Sequence, residues 1–361
     1  MKRIAFGSLL VVVMLGLGPG RARAQICSPT GSVCITPGPD ADAFAAGIGM
    51  TTDQLAYQLV SQVDGLFQTT NVTSFLHDFQ NAQSFSTKGL GVDYASEATL
   101  VEAGATLSVA SNADKAYTPS GAYTDPPIQG VGGNFSLMAG VGMGLVGFDP
   151  LMVFANWFKG SASLGVLDGS YHNWGLHGQI RLLGPSRKTS AVKTLVRWGG
   201  IAVTSGADYS RLSLSAKRAI HSTFNVVPGA PVTVTNTGDM VFSVKQTTWS
   251  IPLEVTTSLR LLSLVTVYGG IGFDWQLGGG SNLKINMNAN LSGQYGGTSY
   301  GNLGTATVNA GGKVSPSAAR LREIVGVQLG ILDMIRLFVQ VNVATSSPML
   351  ASVAGGLRLA Y

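Results

Sequence analysis

Charge is scarce in this sequence. Only 11% of its 361 residues are Asp, Glu, Lys or Arg, against about 25% in an ordinary soluble domain. Cysteine is scarcer still: two residues exclude a disulfide-dense scaffold, and with no His near either and no second pair a metal site lacks ligands. Long apolar runs are missing as well. After residue 20 no stretch reaches the roughly 18 apolar residues of a transmembrane helix. The 23 Lys and Arg are scattered rather than blocked, which leaves no nucleic-acid footprint. What is abundant is glycine, 48 residues, alongside 45% hydrophobic residues. A weakly charged, Gly-rich chain without helical spans enters a bilayer only as strands, because helices and closed barrels alone satisfy every backbone group in lipid.

The front end has the layout of an export signal. "MKR" is a positive start, "IAFGSLLVVVMLGLG" an apolar core too short to span comfortably, and Ala22-Arg23-Ala24 a small-x-small cleavage pattern, so residues 1–24 read as a signal peptide. Export to an oxidising compartment gives "CSPTGSVC" a meaning: Cys27 and Cys34 are expected to form a local disulfide that staples an N-terminal segment over 25–50. Next, "TTDQLAYQLVSQVDGLFQ" begins with the capping pair Thr51 and Gln54 and repeats Leu55, Leu59, Val63 and Leu66 at helical spacing; "TSFLHDFQNAQ" continues it. Residues 51–85 are therefore expected to be one or two amphipathic helices at a periplasmic mouth, inside a lumen, or on a partner.

From Gly89 onward the period changes from 3.6 to 2. In the last strands Leu337, Val339, Val341 and Val343 alternate with Arg336, Phe338, Gln340 and Asn342, and Val353, Leu357, Leu359 and Tyr361 with Ser352, Gly356 and Arg358. The same dyad runs through "YHNWGLHGQIRLL", "TTWSIPLEVTT" and "VTVYGGIGFDW". One apolar and one polar face, with too little charge for a water-soluble sandwich, is the pattern of a transmembrane barrel. The fold expected is all-β: an antiparallel transmembrane β-barrel over 86–361 with a short helical N-terminal segment. Period and turn signals mark ten strands, at about 90–110, 133–147, 151–160, 171–183, 194–214, 240–258, 262–277, 319–331, 335–345 and 350–361. A further hairpin in the Gly/Asn-rich stretch 278–317 raises the count to twelve, within a range of roughly 10–14. Alternating long and short connections keep the number even and place both chain ends on the periplasmic side.

Leu357, Leu359 and terminal Tyr361 resemble the C-terminal signal of bacterial outer-membrane barrels, which implies recognition by the barrel insertion machinery. A wider resemblance follows from "GLGVDYASEATLVEAGATLSVA", "SYHNWGLHGQIRLL", "VRWGGIAVTSGADYSRLSL", "WSIPLEVTTSLRLLSLVTVYGGIGF" and "REIVGVQLGILDMIRLFVQVNV". Together they resemble a family of bacterial outer-membrane barrels known only as a domain of unknown function. The resemblance covers most of 50–361; it implies the fold and transfers no activity. In outline, helices followed by a barrel are also similar to long-chain fatty-acid transporters, whose Asn-Pro-Ala plug motif is absent here.

No enzyme signature stands out. His77, His172, His177 and His221 lie in no nucleophile elbow or zinc motif, and "GVGGNFSLMAGVGMG" lacks the Gly-Lys-Ser/Thr ending of a phosphate loop. By phase the lumen receives Arg181, Arg322, Arg336 and Arg358, with Glu254 and Asp274 as partners and Gln340 among the neutral groups. Such charges set the selectivity of a pore or lock a salt-bridged plug. The expectation is a bacterial outer-membrane protein, held in outer-membrane lipid, that passes or binds a small or hydrophobic molecule without a cofactor. A structural or adhesive surface barrel is the alternative, and an outer-membrane enzyme the third.

Overall fold

A computed structural model describes residues 24–29, 31–68, 72–95, 100–113, 130–184, 195–227, 232–262, 264–331 and 334–361. All but Ala24 of the expected signal peptide, and the loop expectations at 114–129 and 185–194, lie outside these residues. In chain order the elements are β1 (Ile26–Cys27), β2 (Val33–Pro37), α1 (Ala41–Gly47), α2 (Thr52–Gln68), α3 (Val72–Phe85), β3 (Val101–Asn112), β4 (Val131–Gly142), β5 (Leu151–Leu164), β6 (Leu167–Leu183), β7 (Val196–Asn225), β8 (Thr233–Leu261), β9 (Val265–Tyr295), β10 (Thr298–Val314), β11 (Ala319–Gly330), β12 (Ile335–Ala344) and β13 (Leu350–Ala360). They divide into two compact units, one of residues 1–69, 218–240 and 286–310 and one of 70–217, 241–285 and 311–361.

The larger unit is a closed antiparallel barrel of ten strands. β3 to β9 pair in chain order, β9 pairs onward with β11, and β11, β12 and β13 lead back to β3. The closing ladder runs from Leu350 opposite Asn112 to Ala360 opposite Glu102, and Tyr361 continues it through backbone bonds with Val101 and Leu100. No strand edge is left at that seam. The alternation sorts side chains as a bilayer requires. Val339 is 57% exposed on the outside and Gln340, one residue on, is 1% exposed inside. Leu107, Leu137, Leu176, Leu253, Ile271, Val325 and Val353 also face out. Apolar outside and polar inside inverts a water-soluble fold and fits one solvated by hydrocarbon.

Three sequence expectations change in the wall. The hairpin expected in 278–317 exists as the end of β9 and β10, but it adds no strand to the ring: β10 pairs with β9 and β2, while β11 takes over β9 from Val265 to Trp275. The loop expected between the third and fourth strands is a two-residue turn, since β5 and β6 stay paired to Leu164 opposite Leu167. The first barrel strand starts at Val101 rather than near residue 90. Residues 86–95 are turns, broken by Gly89 and Gly91 at φ of 75° and 79°, where Gln340, Tyr94 and Asn156 press against the backbone and leave no room for a side chain.

The smaller unit has an ordinary apolar core. Phe44, Ala45, Leu55, Leu59 and Val63 of α1 and α2 meet Val33 and Ile35 of β2 and the strand residues Val234, Leu291, Leu303 and Val308. The apolar positions of α2 recur every three or four residues, which turns one stripe to this sheet. Thr51 and Gln54 exchange backbone-to-side-chain bonds of 3.2 and 2.9 Å, the reciprocal cap read from the sequence. Cys27 and Cys34 pair opposite each other on β1 and β2 and form a disulfide.

Candidate functional site

α3 and the turns after it run through the barrel interior. Asp78 bonds Asn112 near the end of β3, Gln80 bonds Thr248 and Ser281, Lys88 bonds Ser250, and the Ala95 carbonyl accepts from Ser258. These partners descend β8 from Thr248 to Ser258, so the segment travels from the end where β3 finishes to the end that holds Tyr361. Of the three places open to the helices, a periplasmic mouth, the lumen or a partner, α3 takes the lumen, where Asp78, Gln80, Lys88 and Ala95 find polar partners on the wall.

Two charge clusters fix this plug. In the first, the Lys88 Nζ lies 2.5 Å from Ser250, 3.8 Å from Asp208 and 3.7 Å from Asp274. Arg322 donates to Asp274 at 2.9 Å, to Asn342 at 2.8 Å and to Glu254, while His177 sits 3.0 Å from Asp208. In the second, Arg358 and Arg336 reach Asp93 at 2.8 and 3.4 Å. Arg358 also donates to Gln328 at 3.0 Å and the Val92 carbonyl at 2.6 Å, and its guanidinium lies 3.8 Å from the Phe338 ring centre. Buried charges are tolerable when paired and hydrogen-bonded in this way, and the same pairing makes each partner hard to remove.

Five of the residues singled out by phase meet here: Glu254, Asp274 and Arg322 in the first cluster, Arg336 and Arg358 in the second. Gln340 lies beside them, 3.0 Å from Asn342. Arg181 shares the inward phase but sits half-buried at the Tyr361 end, lining a cavity of about 380 Å³ with Gln179, Asp149 and Tyr361. Leu357, Leu359 and Tyr361 point outward. Sequence reasoning missed Lys88 and Asp93, which sit in no strand and so have no phase, and Asp208 and Glu102, which strand alternation would have placed inside. With those carboxylates buried in the interior, the excess of inward arginines over acids shrinks. Among the described residues no group of three His, Cys, Asp or Glu is placed to hold a metal ion.

One ladder of the wall is short. β4 pairs with β3 from Val131 to Val141, but with β5 only from Leu137 to Gly142. β5 in turn stays on β6 from Leu151 to Leu164. Val131–Ser136 therefore lacks a strand on its β5 side, and side chains stand in. The Gly133 N–H donates to Gln83 Oε1 at 3.0 Å and its carbonyl accepts from Gln83 Nε2 at 3.0 Å. Asn173 donates to the Phe135 carbonyl at 2.9 Å and to Asn134 at 2.6 Å, and Tyr171 donates to Asn134. Phe135 and Phe158 meet edge to face at 4.9 Å. Glycine explains the close helix: a side chain at Gly132 would strike the backbone of Ala82 and Gln83. Beside the gap, Phe158, Gly160, Ala162, Tyr171, Leu212 and Leu214 line an open, mostly apolar pocket of about 320 Å³.

Residues 33–361 match the family model described as Lsa36-like, and the chain belongs to that family. No curated protein matches it. Among solved structures it is similar to the translocator domain of the autotransporter NalP from Neisseria meningitidis, at 14% identity over 77% of this chain and 93% of that one, with a TM-score of 0.30. It is also similar to the toluene transporter TbuX of Ralstonia pickettii, at 8% identity over 81% and 94% with a TM-score of 0.23. A third is the attachment invasion locus protein Ail of Yersinia pestis, at 10% identity over 72% and 96% with a TM-score of 0.23.

Proposed function

We propose that this Lsa36-like protein is a bacterial outer-membrane barrel that keeps its lumen shut to ions and binds a small hydrophobic molecule against its wall. The observation that carries this reading is the contrast between the interior and the cavity at Phe158. The interior is threaded by residues 76–95 and locked by Lys88, Asp93, Arg322 and Arg358. The cavity at Phe158, Leu212 and Leu214 is mostly apolar, and such a pocket favours an apolar ligand that leaves water or lipid. On this reading the export signal at 1–24 is cleaved, the insertion machinery reads Leu357, Leu359 and Tyr361, and no catalytic step is involved.

Purified full-length protein in planar bilayers is expected to show no ion conductance, and in detergent to bind a hydrophobic fluorophore such as N-phenyl-1-naphthylamine saturably. Leu212→Asp, which puts a carboxylate in the cavity, is expected to weaken that binding by about ten-fold or more, the equivalent of roughly 1.4 kcal/mol. Steady conductance, or fluorophore uptake that neither saturates nor responds to Leu212→Asp, would sink the reading. A second role, presentation of a surface, is favoured by the disulfide-stapled smaller unit with an apolar core of its own.

A further inference from the structure

The short ladder between β4 and β5 asks why a closed barrel leaves six consecutive residues of one strand, Val131–Ser136, without a partner strand on the β5 side. A free strand edge within a bilayer carries backbone groups that hydrocarbon cannot satisfy. Here side chains satisfy three of them, the Gly133 N–H and carbonyl and the Phe135 carbonyl. The Gln83 amide makes the pair of bonds to Gly133 that a β5 residue would make, and Asn173 takes the next carbonyl, at Phe135. A ladder opens only by separating whole strands. A side-chain cap opens by turning one residue. The aromatic pair Phe135 and Phe158 covers the same gap, and the apolar cavity lies beside it, sharing Phe158 and Tyr171.

We propose that the β4–β5 gap is the route by which a hydrophobic molecule passes from the bilayer into the Phe158 cavity, and that Gln83 on α3 is its latch. This rests on the hydrophobic-binding reading above and adds the path and its control. The hold on the plug is graded to suit. Gln83 is tied to the wall by two neutral hydrogen bonds, whereas Lys88 and Asp93, further along the segment, are held by charged partners. Charge-assisted bonds are about twice as strong as neutral ones. The Gln83 amide can therefore let go of Gly133 while the rest of the segment, Asp78 and Gln80 included, keeps its bonds, and the lumen remains closed to ions as the wall opens. Asn134 and Asn173, already bonded to each other, give the freed Gly133 polar neighbours.

The test separates the path from the binding. Phe135→Cys and Phe158→Cys are introduced together and joined by a short bis-methanethiosulfonate cross-linker, which forms a reducible disulfide with each thiol and releases methanesulfinate. Wild-type protein goes through the same treatment, because Cys27 and Cys34 also respond to reductant. In proteoliposomes the cross-linked protein is expected to take up membrane-dissolved N-phenyl-1-naphthylamine at least about ten-fold more slowly than the same double variant without the cross-link, to recover on reduction, and to reach that variant's plateau, since affinity and entry rate are separable. Gln83→Ala is expected to speed uptake several-fold without creating conductance, with heat-modifiable gel mobility reporting that the barrel has assembled. Unchanged uptake in the cross-linked protein, with saturable binding intact, overturns the portal and leaves the binding reading standing. Loss of saturable binding in wild type overturns both. Uptake by assembled Gln83→Ala that equals wild type removes the latch.

Discussion

The two units of this chain have opposite interiors. In the smaller one the centre is Phe44, Leu55, Leu59, Ile35, Leu291 and Val308, packed without a charge among them. In the larger one the most deeply buried side chains include Arg322, Arg358 and Lys88, beside an apolar cluster of Phe154, Tyr268 and Ile324, while Val339, Leu357 and Ile271 stand on the outside. One sequence thus follows two patterns of burial, the second of which suits a fold solvated by hydrocarbon. Where water surrounds the fold, burial of apolar surface is the driving term. Where hydrocarbon surrounds it, sequestering apolar side chains gains little, and paired charges with hydrogen bonds specify the interior instead. The contrast predicts which substitutions each unit tolerates.

The largest effect is expected from the charged interior. Asp93→Ala removes the carboxylate that faces both Arg358 and Arg336 and leaves two buried guanidinium groups without it. Deleting one partner of a buried pair costs about 3–5 kcal/mol. Unfolding of the barrel in urea with lipid present should show that loss, and removing the positive charge as well, in Asp93→Ala with Arg336→Met, should recover part of it. A loss below about 1 kcal/mol would mean that the plug does not depend on its ion pairs, and the contrast between the units would fail.

A smaller effect tests the outer face. Val341→Arg places a charge on the lipid side and should cost about 2–4 kcal/mol if the site is near the midplane. Phase alone makes Asn342→Arg, one residue on, the cheaper change because it faces the lumen. The structure reverses that ranking. Asn342 Oδ1 accepts from Arg322 at 2.8 Å and its amide donates to Ser352 at 3.0 Å, so a second guanidinium there meets the first. Asn342→Arg should be at least as damaging as Val341→Arg in the same bilayer unfolding experiment.

That reversal shows where sequence reading succeeds and stops. Strand alternation needs only neighbours in the chain, so the ten wall strands, the inward arginines and the outward Val339 and Leu357 were legible. The capping pair at Thr51 and Gln54 was legible for the same reason. What was not legible depends on chain segments far apart. Lys88 and Asp93 follow α3 in Gly-broken turns with no period, and their roles come from Asp208, Asp274, Arg336 and Arg358 on distant strands. The missing rungs between β4 and β5 leave almost no mark, since Val131–Ser136 alternates like any other strand. Gly132, which lets α3 approach, was the one clue, and it sat in the run of glycines set aside as a poor phosphate loop.

The smallest effect sharpens the contrast from the side of the ordinary core. The Cys27–Cys34 disulfide closes a loop with a sequence separation of 7 residues and joins β1 to β2, both in the smaller unit. Loop-closure entropy for so short a loop corresponds to about 2–3 kcal/mol, and the first apolar residues it holds are Ile26, Val33 and Ile35. Reduction should therefore weaken the smaller unit by up to that amount. The larger unit should be insensitive, since its interior is tied by Lys88, Asp93 and the arginines and contains no cysteine. Limited proteolysis with and without reductant measures the first expectation, through faster cleavage within residues 25–68. Heat-modifiable gel mobility measures the second, through an unchanged barrel transition. If reductant lowers the barrel transition by as much as it accelerates cleavage, the two units unfold as one, and the difference between their interiors is a difference of composition without independent stability.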